Sequence, residues 1–256
     1  MKKLIFGICV FLFFLIFSSI GFKAQEADIQ AIDDAYIFFV HGVPGQDIGE
    51  APNFPVDLYV NGILKKSNVK YGKISARFKV TSGDLTFAVY RNGKGPGAGY
   101  EPIIEQVFKI QYYENASVVV YLDPDRNIKL VKFTNDLSLT GHATKCKVII
   151  HNTSEEAKLG FWLYNDNSRP PYEYRPWMGS DILEPGDKNV FEIAKAALVG
   201  NRAILWWLEI GIGWEDWHTV YDKAFAFQPR KGVLVFFVGS TATKTFKVVR
   251  KMVPLK

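Results

Sequence analysis

The stretch Tyr36-Ile-Phe-Phe-Val-His41 is the first of several short segments rich in Val, Ile, Phe and Tyr. These residue types favour β-strands, and Asn61-Gly62, Ser82-Gly83 and Asn92-Gly93 mark turns between the segments. No window of helical length carries a clear apolar stripe with a 3.6-residue period. We therefore predict seven strands in the first half, and such spacing is typical of a two-sheet sandwich. The predicted strands are 36–40, 56–60, 74–80, 85–90, 106–112, 118–122 and 128–133.

The same order of strand and turn signals recurs in the second half. Lys147-Val-Ile-Ile-His151 corresponds to the opening stretch, and Val233-Leu-Val-Phe236 corresponds to Val118-Val-Val-Tyr121. Five such matches occur in the same order, which indicates a duplication. The predicted fold class is all-β, with two tandem Ig-like antiparallel β-sandwich domains after an N-terminal signal peptide. The predicted domains are residues 33–139 and 144–256.

The first residues have the pattern of a secretory signal peptide. Lys2 and Lys3 precede an apolar run from Leu4 to Phe17, and small residues follow up to Gly21. We predict a signal peptide at residues 1–21. The alternative is an uncleaved anchor, because Leu4 to Phe22 approaches the ~20 residues that span a bilayer. The expected location is outside the cytoplasm: periplasmic, or extracellular on the cell surface, in a bacterium.

Composition excludes several classes of protein. Of the 256 residues, 48% are apolar and 22% charged, which excludes a disordered chain. The two cysteines exclude a disulfide-dense scaffold. Only Cys146 would remain after cleavage at Gly21, and we expect it to be a buried strand residue. The net charge of +5 is small and does not by itself indicate nucleic acid binding.

A family resemblance rests on four segments of the first half. Together these segments resemble domain of unknown function 4397, over residues 35–137 clearly and over 146–256 faintly. The resemblance implies an exported, mostly bacterial protein of tandem β-rich repeats; it implies no enzymatic activity and supplies no functional residues. The segments are Ala35 to Pro44, Pro55 to Gly62, Tyr71-Gly72 and Ser82-Gly83.

The sequence lacks the spacing of common catalytic and metal sites. Neither His-Glu-x-x-His nor Cys-x-x-Cys nor Gly-x-Ser-x-Gly occurs. We expect no catalytic residues, no metal and no cofactor. His41 and His151 end the first strand of each half, and a shared structural task is expected, such as bonding a loop carbonyl. We interpret Asp123 to Asn127 as a hairpin turn and Asn92 to Gly99 as a strand connection.

All six tryptophans lie in the second half. Trp214 and Trp217 flank two acids and are expected at a hairpin tip, where exposed rings could stack on a sugar or receive a partner protein. Trp177 is the third candidate binding residue. The alternative is that these rings pack against the neighbouring half.

Charge is also uneven between the halves. Residues 141–256 carry 16 basic and 12 acidic residues, and none of the acids follows Asp222. We expect the lysines between Thr243 and Lys251 to line the exposed face of a last edge strand, where they prevent unwanted pairing. The alternative is an anionic partner such as a surface polymer.

These observations favour an exported, non-enzymatic envelope protein that acts as a structural or interaction module. Its partners would be envelope proteins or surface glycans, with no nucleic acid, and with membrane contact only through an uncleaved N-terminal segment. The alternatives are a carbohydrate-binding module and a hydrolase whose pair of catalytic carboxylates has no sequence signature.

Overall fold

The computed structural model describes residues 34–138, 146–156, 159–165, 178–179, 183–193, 205–212, 218–226 and 230–255. These residues form β-strands and two short 3-10 helices, which confirms the all-β prediction. Within these ranges, the chain contains no helix with the length and apolar character needed to cross a bilayer.

Residues 34–138 contain nine strands and two 3-10 helices. The strands are β1 (Asp34–Gly42), β2 (Val56–Val60), β3 (Ile63–Val69), β4 (Lys73–Ile74), β5 (Phe78–Thr81), β6 (Gly83–Arg91), β7 (Ile104–Ile110), β8 (Asn115–Leu122) and β9 (Ile128–Thr134). The helices are η1 (Gly45–Ile48) and η2 (Pro96–Ala98). The predicted strand 74–80 is thus two short strands, and β3 was not predicted.

The described part of the second half contains eight strands. They are β10 (Cys146–Ser154), β11 (Gly160–Asn165), β12 (Met178–Gly179), β13 (Lys188–Ile193), β14 (Leu205–Ile212), β15 (His218–Ala226), β16 (Lys231–Gly239) and β17 (Lys247–Pro254).

Four sheets are formed, and the two halves share one strand order. Sheet I has the order β3-β2-β6-β7, and sheet II has the order β4-β1-β8-β9 with β5 also beside β1. Sheet III has the order β13-β10-β16-β17, and sheet IV has the order β12-β11-β14-β15. Most neighbours are antiparallel, as predicted, but β1 and β8 are parallel, as are β10 and β16. Parallel neighbours require a crossover connection, and the intervening strands of sheets I and IV lie on these crossovers.

The first core fills the space between sheets I and II. It includes Ile37 and Phe39 of β1, Leu58 of β2 and Phe87 of β6, all fully buried. Alternate residues of β1 belong to this core because side chains alternate between the two faces of a strand. Sheets I and II therefore form a sandwich in the first half.

A second core, which we call the seam, joins sheet II to sheet III. Phe38 and Val40 of β1 point into it, as do Leu234, Phe236 and Val238 of β16. Sheet II is thus buried on both faces, which explains why β1 and β8 are continuous apolar runs rather than alternating ones. The remaining seam residues are Tyr71, Val119, Tyr121, Phe133, Leu137, Ile149, Val249 and Val253.

Two glycines allow the backbones to approach closely at one end of the seam. A Cβ atom on Gly42 would lie 2.9 Å from the Val238 Cγ1 atom. Gly239 has a φ of +78°, and a Cβ atom there would overlap the Tyr71 hydroxyl of the first half. Larger side chains at these positions would force the halves apart.

Hydrogen bonds also join the halves at the margins of the seam. The Tyr71 hydroxyl donates to the Thr245 carbonyl oxygen. The Lys188 ammonium group donates to the Thr134 carbonyl oxygen at 2.7 Å. The bond of the buried Tyr71 hydroxyl satisfies a polar group that would otherwise lack a partner, whereas the Lys188 bond is exposed.

Candidate interaction site

The predicted binding residues Trp177, Trp214 and Trp217 lie outside the described residues. The neighbouring strands are described: β14 ends at Ile212 and pairs antiparallel with β15, which begins at His218. Carbohydrate binding through Trp214 and Trp217 therefore stays a prediction. A glycan array with the double variant Trp214→Ala, Trp217→Ala tests it, and unchanged binding would remove it.

The two strand-ending histidines differ in their surroundings. His41 is fully buried, and its Nε2 atom lies 3.1 Å from the Phe54 carbonyl oxygen, which confirms the expected bond to a loop carbonyl. His151 points into the seam, where its ring stacks on Phe236 at 4.5 Å between centroids. Neither ring nitrogen of His151 has a hydrogen-bond partner among the described residues. The expected common role therefore holds for His41 but not for His151.

Burial keeps both imidazoles neutral. Desolvation lowers the pKa of His41 to about 4, although the bond to the Phe54 carbonyl opposes the shift. Desolvation, with a smaller contribution from Lys188, lowers the pKa of His151 to about 3. Because a buried charged imidazole is costly, both rings act as structural groups near neutral pH.

The other sequence motifs have the structural roles that were predicted. Cys146 is fully buried, and burial raises its thiol pKa to about 12. Asp123 closes the β8–β9 hairpin, since its Oδ1 atom accepts the Asn127 amide at 2.8 Å. The glycine-rich segment Asn92 to Gly99 connects β6 to β7 and contains η2. Within the described ranges no group of three or more His, Cys, Asp or Glu residues could hold a metal ion.

The connection between β7 and β8 carries two exposed aromatic side chains that the sequence reasoning missed. Tyr112 and Tyr113 are 63% and 64% exposed. Tyr113 has a φ of +55°, in the left-handed region that a bulky residue rarely adopts. This conformation costs about 1–2 kcal/mol, and such strain often marks a functional position. We call residues 111–114 the tyrosine hairpin.

Hydrogen bonds to the buried Glu114 carboxylate hold the tyrosine hairpin in place. Its side chain is only 3% exposed, and its carboxylate accepts hydrogen bonds from the Gln111 amide and the Lys132 ammonium group, each at 2.8 Å. The Thr134 hydroxyl donates to the same carboxylate. Burial alone would raise the pKa of Glu114, but these bonds outweigh it and lower the pKa. The strained turn is therefore held by a buried, fully bonded carboxylate.

A pair of carboxyl groups from the two halves meets at one margin of the seam. The side chains of Asp47 and Glu155 are 4% and 8% exposed, and the Arg126 guanidinium lies 3.1 Å from Asp47 and 3.9 Å from Glu155. The Thr243 hydroxyl also donates to Asp47, at 3.2 Å. Burial, followed by the nearby Asp47, raises the pKa of Glu155 to about 7. Burial and the neighbouring Asp47 carboxylate thus favour the protonated form of Glu155, which the half-exposed Arg126 only partly opposes.

The lysines of β17 only partly match the sequence prediction. β17 is an edge strand of sheet III, as expected. Lys247 and Lys251, however, point toward the first half: the Lys247 ammonium lies 4.1 Å from the Tyr71 ring centroid, and Lys251 donates to the Ser75 carbonyl at 2.7 Å. Lys247 is nevertheless exposed, as expected, whereas Lys251 is half-buried where β17 borders the seam.

Comparison with solved structures finds distant similarities. The Bacillus anthracis TIE protein is 11% identical with a TM-score of 0.24, and 81% of this chain corresponds to 34% of that one. This chain thus spans about a third of the TIE protein. A putative cell adhesion protein from Bacteroides uniformis is 8% identical with a TM-score of 0.27, covering 89% of this chain and 99% of that chain. A second such protein, from Bacteroides ovatus, is 7% identical with a TM-score of 0.21, covering 88% and 98%.

Comparison with sequence families gives the clearer result. Curated protein sequences yield no match. The family model described as Domain of unknown function (DUF4397) matches residues 35–159, which confirms the resemblance. The match extends beyond the predicted boundary between the halves and includes β10. Residues 35–159 of this chain are therefore similar to the DUF4397 family.

Proposed function

We propose that this chain is a non-enzymatic interaction module of the cell envelope, exported and placed at the cell surface or in the periplasm. The tyrosine hairpin is its contact with a protein partner. The observation that carries the proposal is the exposure of Tyr112 and Tyr113 together on a strained, braced turn.

The chemistry of the tyrosine hairpin suits protein recognition. Tyrosine is enriched in the central part of protein interfaces, because its ring offers a large contact area and its hydroxyl can hydrogen-bond. A contact residue that is already ordered loses less entropy on binding. Glu114 supplies that order, since its bonds fix the turn before any partner arrives.

Site-specific photo-crosslinking in the native cell tests this proposal. A photoreactive phenylalanine at position 112 should link the chain to one protein, seen as a single protease-sensitive band of higher mass. The matched control places the same group at Ile63, which is equally exposed on β3. No band, or the same bands from both positions, would contradict the proposal. An adduct whose added mass contains no peptides of a second protein would also contradict the proposal, and it would indicate a glycan partner.

The variant Tyr113→Gly separates folding from binding. Glycine adopts a positive φ without steric cost, so this variant should melt at the parent temperature or above it. Its crosslinking through position 112 should nevertheless fall, by about tenfold if the Tyr113 ring contributes ~1.4 kcal/mol. Undiminished crosslinking would show that Tyr113 is not part of the contact.

The non-enzymatic part of the proposal has its own test. The purified chain is screened against hydrolase substrates, glycosides included. Reproducible turnover that disappears on substitution of a single acidic residue or histidine would refute it.

A further inference from the structure

Four lysines form a row of positive charges along the margin of the seam, in contrast to the acidic Asp47–Glu155 pair. Lys247 and Lys251 come from β17, while Lys73 lies on β4 and Lys66 on β3. We call these four the lysine row. None of them has a carboxylate within ion-pair distance among the residues that the structure describes.

The segment from Gly72 to Ser75 lies between the two β17 lysines. A Cβ atom on Gly72 would meet the Lys247 Cδ atom at 2.9 Å, so the absence of a side chain there lets the Lys247 stem cross. At the other end of the segment, Lys251 donates to the Ser75 carbonyl oxygen at 2.7 Å. The exposed Lys73 follows Gly72 directly. Lysines of both halves therefore lie near one another at this margin of the seam.

Aromatic rings fix the ammonium groups of the row. Lys247 lies over Tyr71 at 4.1 Å, Lys251 over Phe38 at 5.8 Å, and Lys66 over Phe78 at 5.2 Å. Cation–π contacts reduce side-chain freedom without neutralising the charge. The row is therefore an ordered set of positive charges that lack acidic partners.

The like charges act on one another. Burial, with Lys73 as a further cause, lowers the pKa of Lys247, and burial with Lys66 as a further cause lowers the pKa of Lys251. An anion lying along the row would relieve this repulsion, because opposite charge favours the protonated form.

We propose that the lysine row binds a linear polymer of phosphate groups that lies along the margin of the seam. Lys247 and Lys251 are four residues apart on one face of a strand, which places them about 13 Å apart. That span suits a chain with several charges better than one small anion. Lysine binds phosphate as a point charge, without the bidentate geometry that arginine offers to phosphates and carboxylates alike.

Fluorescence anisotropy with labelled linear polyphosphate tests the proposal on the chain beginning at residue 22. The parent should bind, and the double variant Lys247→Gln, Lys251→Gln should bind about tenfold more weakly, since each lost surface charge contributes a few-fold. The matched control Lys94→Gln, Lys129→Gln removes the same charge elsewhere and should bind like the parent. Binding should also weaken with added salt.

Further probes identify the source of the phosphate. Orthophosphate, vesicles of phosphatidylglycerol and a single-stranded oligonucleotide are compared at equal phosphate concentration. If the chain binds any of these three probes as tightly as polyphosphate or more tightly, the assignment to a polyphosphate chain is overturned. The same holds if the parent does not bind polyphosphate, or if the Lys94→Gln, Lys129→Gln control loses as much affinity as the Lys247→Gln, Lys251→Gln variant. The variant Lys247→Arg, Lys251→Arg keeps the charge and should retain binding; loss there would also contradict the proposal.

The outcome is independent of the tyrosine hairpin. Tyr113→Gly should bind polyphosphate like the parent, because the tyrosine hairpin and the lysine row are different surfaces. A loss of polyphosphate binding in that variant would contradict the separation of the two surfaces. A negative crosslinking experiment alone would not contradict polyphosphate binding by the lysine row.

Discussion

Replacement of Gly42 by alanine tests directly whether the two halves meet through the seam. The new Cβ atom would lie 2.9 Å from Val238 Cγ1 and 3.0 Å from the Val120 carbonyl oxygen, closer than ordinary contacts. Overpacking of this kind costs about 1–3 kcal/mol. Gly42→Ala should therefore lower the free energy of unfolding by about 2 kcal/mol.

The variant Val238→Ala removes the side chain that the new methyl group would meet. Val238 is fully buried, so the loss of two methyl groups costs about 2 kcal/mol from transfer and cavity formation together. In the double variant the alanine at position 42 no longer meets the Val238 Cγ1 atom, and the two halves can keep their parent positions. If the two substitutions acted independently, the double variant would be destabilised by ~4 kcal/mol. We expect about 2–3 kcal/mol instead, and the difference is a coupling energy within the usual range for residues in contact.

Urea unfolding of the chain beginning at residue 22, followed by circular dichroism, measures the three free energies. A matched cycle pairs Gly42→Ala with Leu85→Ala, because Leu85 lies with Asp34 beside a pocket at the opposite end of β1. That cycle should be additive within about 0.5 kcal/mol. Additivity in the Gly42–Val238 cycle as well would refute the contact between sheets II and III.

Three further predictions concern single titratable groups. Glu114→Gln should destabilise the protein by about 1–3 kcal/mol at pH 7. Because the folded-state pKa of Glu114 is lowered, the parent should lose this advantage as the pH falls below about 4. A constant difference in urea midpoint between parent and variant across pH 3–7 would contradict the stabilising role of the Glu114 carboxylate. Glu155 has a raised folded-state pKa of about 7, so the parent should lose stability as the pH rises from about 4.5 to about 7. Glu155→Gln should flatten this part of the melting-temperature profile, and an unchanged profile would count against the raised pKa of Glu155. The Cys146 thiol, with its pKa raised to about 12, should react with a thiol reagent only after unfolding, and rapid labelling of the native chain would show that it is accessible.

The apolar strands could be predicted because burial decides their composition. The central runs of β1 (Tyr36 to Val40) and β8 (Val118 to Tyr121) consist of β-branched and aromatic residues, so their strand assignment follows directly from the sequence. β3 was missed because Lys65, Lys66 and Ser67 interrupt its apolar character. It lies at the edge of sheet I, where most of its side chains are exposed and polar residues are tolerated.

The seam and the tyrosine hairpin depend on tertiary contacts that composition does not encode. The run Phe38-Phe39-Val40 indicates burial on both faces, but not that sheet III covers the second face. Tyr112 was assigned to a strand because tyrosine favours strands. The positive φ of Tyr113 depends on Glu114, whose partner Lys132 is 18 residues away in the sequence, and no local signal reveals it.

The parallel pairing of the first and penultimate strands in each half bears on how the chain acquires its fold. Tyr36 pairs with Asn115, and Lys147 pairs with Gly232, so each pair joins residues roughly 80 positions apart. At a synthesis rate of about 5–20 residues per second, each leading strand waits about 4–16 s before its parallel partner exists. Throughout that interval an apolar strand has an open hydrogen-bonding edge, which invites pairing with other chains. A holding chaperone would be most useful in this window, and nascent chains halted before residue 115 should aggregate more than chains halted after residue 134.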